Sequence, residues 1–136
     1  MDVALSRLKL TSSFKLIAPF ATDAQTLLYS PNVVLQIYMR EREEITREYL
    51  HTVFHCVFHH PFVGDAVDND VWNLACDIAV ENALTELDLS SVRSKREAEQ
   101  KPEIEYLKKK VSLLTAERLY RFFMDQHLSK HRIAGL

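Results

Sequence analysis

The spacing of apolar and polar positions divides the chain into a short strand-like region followed by helices. Residues 1–10, "MDVALSRLKL", space their apolar side chains as a short amphipathic helix would. Two apolar runs, Phe14 to Phe20 and Thr26 to Ser30, then flank a turn-like "ATDA" and predict a small hairpin or pair of strands. Pro31 suits the first turn of a helix, with Ser30 as its N-cap. From Asn32 the stretch "NVVLQIYMREREEITREYLHTVFHCVFHH" is helix-forming and free of glycine. Its polar run "REREEIT" predicts a break, with Thr46 opening a second helix that Pro61 and Gly64 end. "VGDAVDND" reads as a loop in which Asp68 or Asp70 caps the next helix, "VWNLACDIAVENALTEL". The charged "DLSSVRSKREAEQKP" has little periodicity and reads as a connection. After Pro102 two more helices are predicted, meeting near Ser112 to Thr115, where "LTAE" fits a capping box.

This order of elements predicts an α+β fold that is mainly helical, with a small hairpin or sheet near the N-terminus. At 136 residues the chain is read as one domain, residues 1–136. Only two glycines fit that helical bias. A net charge of −2 leaves no basic footprint for nucleic acid or an anionic membrane. No apolar run reaches the ~18 residues of a membrane span, and a cytoplasmic location is expected. Cys56 and Cys76 lie in apolar-periodic stretches and read as buried free thiols.

Candidate chemistry is concentrated in "REYLHTVFHCVFHHPF", which holds His51, His55, His59 and His60, four of the six histidines. On a helix, Glu48, His51, Thr52, His55 and His59 share an arc of about 100°. Leu50, Val53, Phe54, Val57 and Phe58 take the other side, which must face a core. Two imidazoles one turn apart can approach one ion, and zinc enzymes use H-x-x-x-H for that reason. In zinc peptidases the residue after the first histidine is usually a Glu that takes a proton from the attacking water. Here that position is Thr52. Histidines spaced by four also arise by chance on wet helix faces, so the spacing alone is weak evidence.

A second segment strengthens the metal reading. "VWNLACDIAVENAL" is an apolar helix interrupted by Asp77 and Glu81, four apart and therefore on one face. An acid within such a run is costly to bury unless it is paired or bound to a cation. Asp77 can join two histidines on zinc; the bland alternative pairs it with His55 or Arg47, or leaves it at the helix edge. Trp72, Leu74, Ala75, Ile78 and Ala79 supply the apolar surface, and Leu74 and Ile78 are expected in one core with Phe54, Val57 and Phe58. His127 and His131 form another pair four apart, read as a solvated face among basic neighbours.

Together, "YLHTVFHCVFHHPF" and "DNDVWNLACDIAVENAL" resemble the zincin-like metallopeptidase domain found N-terminal to von Willebrand factor type A-like domains. In that family one helix reads roughly H-E-x-x-H-x-x-x-x-H-P and a second W-N-x-A-x-D-x-x-[IV]-N. "LLYSPNVVLQIY" is similar to the segment preceding the histidine helix, the resemblance spans roughly residues 10 to 90, and "LLTAERLYRFF" beyond it is similar to the family's later helix. It implies Zn²⁺ or another divalent metal on His51 and His55, with Asp77 as third ligand and His59 as its rival. It also implies a peptide or protein substrate, a type A-like domain in the same longer chain, and an AAA+ ATPase partner. Two positions depart from the pattern: Thr52 replaces the catalytic Glu, and Glu81 stands where Asn is common. Glu81 and Glu48 are the substitute candidates for a catalytic base. The leading expectation is a metal-binding, metallopeptidase-like domain with weak or no hydrolytic activity. The alternatives are a catalytically inactive protein-interaction module on the same fold, and a structural helical domain that binds no metal.

Overall fold

The computed structural model describes residues 9–58, apart from 14, 17 and 24, and residues 67–134. Strands β1 (Lys9–Ser12), β2 (Phe20–Thr22) and β3 (Thr26–Tyr29) form a small sheet in the order β1-β3-β2. β2 and β3 are the arms of an antiparallel hairpin, with Ala21 opposite Leu28. Asp23 makes the turn, its Oδ1 accepting from the backbone N–H groups of Gln25 at 2.9 Å and Thr26 at 2.8 Å. The first arm is shorter than the run Phe14 to Phe20 suggested, beginning only at Phe20. β1 runs parallel to β3, with Leu10 opposite Leu27. Lys9 and Leu10 are therefore strand, not helix; Leu27 is the buried member of the pair, so pairing to a formed hairpin overrides a weak local pattern.

Helix α1 (Pro31–Arg40) starts as the sequence indicates, with the Ser30 hydroxyl accepting from the Val33 N–H. The break after it falls at Glu41, whose backbone is extended, and α2 (Arg42–Val57) begins at once. Thr46 thus lies inside α2. Glu44, within the polar run that suggested the break, is helical, as are Arg47 and Glu48 after it, and each has a partner beyond α2. Asp68 caps α3 (Asn69–Leu87) by accepting from the Asp70 and Val71 N–H groups at 3.1 and 3.2 Å. The expected stop at Pro61 and Gly64 lies outside the described residues.

Helix α4 (Arg96–Val111) differs most from the sequence reading. It opens six residues before Pro102 and carries that proline in its interior. An interior proline removes a helical hydrogen bond and crowds the preceding turn, at a cost of ~3 kcal/mol. The turns ahead of it are held instead by charged side chains reaching into the protein, described below. At the far end Ser112 has φ 68° and stops α4, and α5 (Ala116–Ala134) follows. Thr115 caps α5 by accepting from the Arg118 N–H at 3.3 Å. The reciprocal half of a capping box is missing, because its position holds Arg118 and Glu117 falls one residue short.

α3 is the central element. One side packs Trp72, Ala75, Cys76 and Ala79 against Leu107, Leu114, Ala116 and Leu119. Another side packs Val80 and Leu84 against Phe54 of α2, with Leu50 alongside. Phe54 is buried, as its helix phase requires, but Val57 and Phe58 are 40% and 43% exposed because α2 ends beside them. Leu74 is exposed as well, and Ile78 packs on the α3–α5 side, away from Phe54. The apolar stripe thus feeds two clusters joined through α3 rather than one. Both cysteines are free thiols; Cys76 is buried and Cys56 only partly so.

Candidate metal centre

α2 presents His51 and His55 on successive turns, and α3 presents Asp77 and Glu81 in the same way toward them. The two Nε2 atoms lie 3.0 Å apart, and Asp77 Oδ1 lies 3.1 Å from His51 Nε2 and 3.0 Å from His55 Nε2. The three atoms make a nearly equilateral triangle from three side chains. Tetrahedral zinc with bonds of ~2.0–2.1 Å holds its ligand atoms roughly 3.3 Å apart, so a small rotation of the rings brings this set into register. Among the described residues this is the one group of three or more His, Cys, Asp or Glu side chains arranged to hold an ion. His59, the rival ligand, lies outside the described residues, as do the side chains of His127 and His131.

The donor chemistry fits a cation for a second reason. Glu81 Oε2 lies 3.0 Å from His51 Nδ1. A carboxylate only accepts, so the Nδ1 proton is placed there and the lone pair of the neutral ring is left on Nε2. That lone pair faces the Asp77 oxygen, which is also an acceptor. Two acceptors at this distance require something positive between them, either a proton or a metal ion. Metal-ligating histidines commonly donate their second nitrogen to a carboxylate, which fixes the ring and raises its basicity. Glu81 occupies that place.

Electrostatics follow the same geometry. Burial opposes charge on His51, but hydrogen bonds to Asp77 and Glu81 outweigh it and push the ring up from 6.5 to about 9. Burial likewise opposes charge on Asp77, yet hydrogen bonds from the two histidines hold its carboxyl well below the usual range. Glu81, also buried, is pulled from 4.5 to about 2 by His51, Gln100, Arg47 and Arg96. The neighbouring Cys76 thiol is pushed up to about 12 by burial and by Asp77, so it supplies no thiolate to the group. For the metal-free protein the His51 sign is clear. Its folded value exceeds its unfolded one, so its contribution to stability is complete below pH 6.5 and is lost as pH rises through about 9. Glu81 has the opposite sign, and its contribution is lost as pH falls from 4.5 toward 2. Chelator-treated protein should therefore melt at progressively lower temperature between pH 6.5 and 9. His51→Gln should flatten that decline, and an unchanged decline would mean that another group carries it.

Sequence reasoning did not find the side chains that hold Glu81. Arg47 is fully buried and binds Glu81, not Asp77. Its guanidinium donates to Glu81 Oε1 at 3.3 Å, the Glu81 carbonyl at 3.2 Å, the Val92 carbonyl at 3.1 Å, Thr85 Oγ1 at 2.9 Å and Glu97 Oε1 at 2.5 Å. Arg96, from α4, pairs with Glu44 and Glu48 and donates to Glu81 Oε1 at 3.1 Å. Gln100 donates to the same oxygen at 3.1 Å. One signal was present: Arg47 precedes His51 by four residues and so lies about 40° from it on the same helix face.

With this geometry in place, comparison with known families becomes informative. A family model described as "Putative metallopeptidase domain" matches residues 2–132. The chain belongs to that family. No curated protein and no solved structure matches it. In this family member the histidine–aspartate triangle opens on a groove of about 730 Å³. Phe20 and Thr22 of β2 line one side, and Trp72, Asn73 and Cys76 of α3 line another. Thr52 borders the same groove, largely buried, its hydroxyl donating to the Glu48 carbonyl at 3.0 Å. Glu48 and Glu81, the candidate bases, are both engaged by Arg96. No helix among the described residues is long and apolar enough to cross a membrane.

Proposed function

We propose that this metallopeptidase-family domain binds one divalent cation, zinc foremost, through His51, His55 and Asp77, and that it hydrolyses peptides weakly or not at all. The triangle of two Nε2 atoms and one carboxylate oxygen at 3.0–3.1 Å carries the proposal. A bound cation would supply Lewis acidity toward a substrate carbonyl in the groove. The chain's own residues supply the rest. Glu81 orients His51, the groove gives room for an extended peptide, and Thr52 occupies the position at which a zinc peptidase keeps its base. A threonine hydroxyl already donating to a carbonyl one turn back is a poor proton acceptor. Glu48 is paired with Arg96, and the oxygens of Glu81 are taken by Arg47, Arg96, Gln100 and His51.

A second reading is a binding module that retains the fold and does no chemistry, and Thr52 is the observation in its favour. A type A-like domain in the same longer chain, an AAA+ ATPase partner and a cytoplasmic location fit either reading. The decisive measurement is metal content of protein purified without a histidine tag. One divalent ion per chain is expected, with loss of stoichiometric binding in His55→Ala. Metal-free protein that takes up no zinc, or uptake unchanged by His55→Ala, would remove the metal centre from consideration. An activity screen of the loaded protein then separates the weak hydrolase from the binding module.

A further inference from the structure

The first turns of α4 are held to the protein by polar contacts. Leu107, beyond Pro102, is the buried residue of that helix, whereas Arg96, Glu97 and Gln100 point into the charged cluster behind His51. Glu81 Oε1 receives three donors, from Arg47, Arg96 and Gln100, which leaves Oε2 directed at His51 Nδ1. Two of those three donors come from α4. We infer that Arg96 and Gln100 are positioning residues of the metal centre, and that ion binding is coupled to the docking of the first turns of α4. This rests on the proposal that His51, His55 and Asp77 hold the ion.

The mechanism is geometric. A carboxylate with one oxygen pinned by three donors has its side chain locked, so the ring it faces is locked too. Without Arg96, Glu48 would lose its paired cation and Glu81 Oε1 would keep only Arg47 and Gln100, which loosens the carboxylate that orients His51. Outer-shell partners of metal-bound histidines typically change affinity by ~10–100-fold when removed. Coupling of this kind is reciprocal, so whatever α4 contributes to ion affinity, the ion returns to the docking of α4.

Zinc affinity of the full chain, measured by competition with a chromogenic chelator, tests this directly. Arg96→Gln should weaken binding by ~10–100-fold and Gln100→Leu by a smaller factor of about threefold, whereas the exposed Arg93→Gln should leave it unchanged. Hydrogen exchange supplies a readout that a purely structural role would not move. Zinc should slow exchange across residues 96–104 in the unaltered protein but not in Arg96→Gln. Equal affinity in the unaltered protein, Arg96→Gln and Gln100→Leu overturns the inference while leaving the metal centre intact. Equal zinc-induced protection with and without Arg96 overturns the coupling. If Arg96→Gln does not fold, Gln100→Leu decides by the same two measurements. Failure of the unaltered protein to bind zinc at all removes the metal centre itself, and the inference with it.

Discussion

Thr52→Glu is expected to raise peptide hydrolysis by ~10²–10⁴-fold over the unaltered protein, the usual contribution of a positioned general base. The substitution writes H-E-x-x-H across residues 51 to 55. Residue 52 already borders the groove into which His51, His55 and Asp77 point, so a carboxylate there has room to extend toward the reacting water. The hydrogen bond lost is that of a hydroxyl donating back to the Glu48 carbonyl, a bond the helix does not need. Metal stoichiometry should stay the same, because the proposed ligands are His51, His55 and Asp77. Cleavage of a quenched-fluorescence peptide library by both zinc-loaded proteins is the measurement. A variant that binds one ion and still cleaves no faster would show that the groove does not seat a peptide, which favours the binding module. Robust cleavage by the unaltered protein, abolished by Glu81→Gln while one zinc per chain stays bound, would make Glu81 the base and not only an orienting group.

Arg47→Ala should destabilise the domain by about 3–5 kcal/mol, the usual cost of removing one partner of a buried ion pair. Whole-domain stabilities are commonly ~5–15 kcal/mol, so much of the margin would go. The reason lies in what remains after truncation. Glu81 would keep a buried charge with fewer donors, and the carbonyls of Glu81 and Val92 would each lose the donor that Arg47 supplies. Glu97 would lose its cation too, releasing the first turn of α4. Arg47→Lys should recover little, since one ammonium cannot reproduce contacts that the guanidinium spreads over α3, the chain entering α4 and the first turn of α4. Urea denaturation of metal-free protein checks this. A loss below about 1 kcal/mol would show that apolar packing alone holds these elements together.

The local elements were largely legible in the sequence. Ser30–Pro31 and Asp68 announced their helices because a cap depends on neighbours two or three residues away. The hairpin declared itself through a turn aspartate between apolar runs, and Ser112 to Thr115 marked the last helix break. The four-residue spacings His51–His55 and Asp77–Glu81 placed each pair on one helix face by helical geometry alone. These features come from a few adjacent residues, so no tertiary contact is needed to see them.

Other features were decided only when the elements met. β1 is strand because a hairpin edge offers it hydrogen bonds, a fact that residues 9–12 do not carry themselves. Val57 and Phe58 continue the apolar phase of α2, but the core stops short of them. Residues 96–102, the second half of the charged stretch 88–102, resembled a linker, since charge without periodicity normally means solvent. Here Arg96, Glu97 and Gln100 have buried partners contributed by α2 and α3, and those partners make the segment a helix that runs through Pro102. The division of labour between the two acids was set in the same way. Asp77 and Glu81 are equivalent in spacing and chemistry, yet the approach of α2 gives His51 Nε2 to one and Nδ1 to the other. Helical spacing puts side chains on a face, whereas the partners they meet across it depend on how two helices pack, which long-range burial and ion pairing determine.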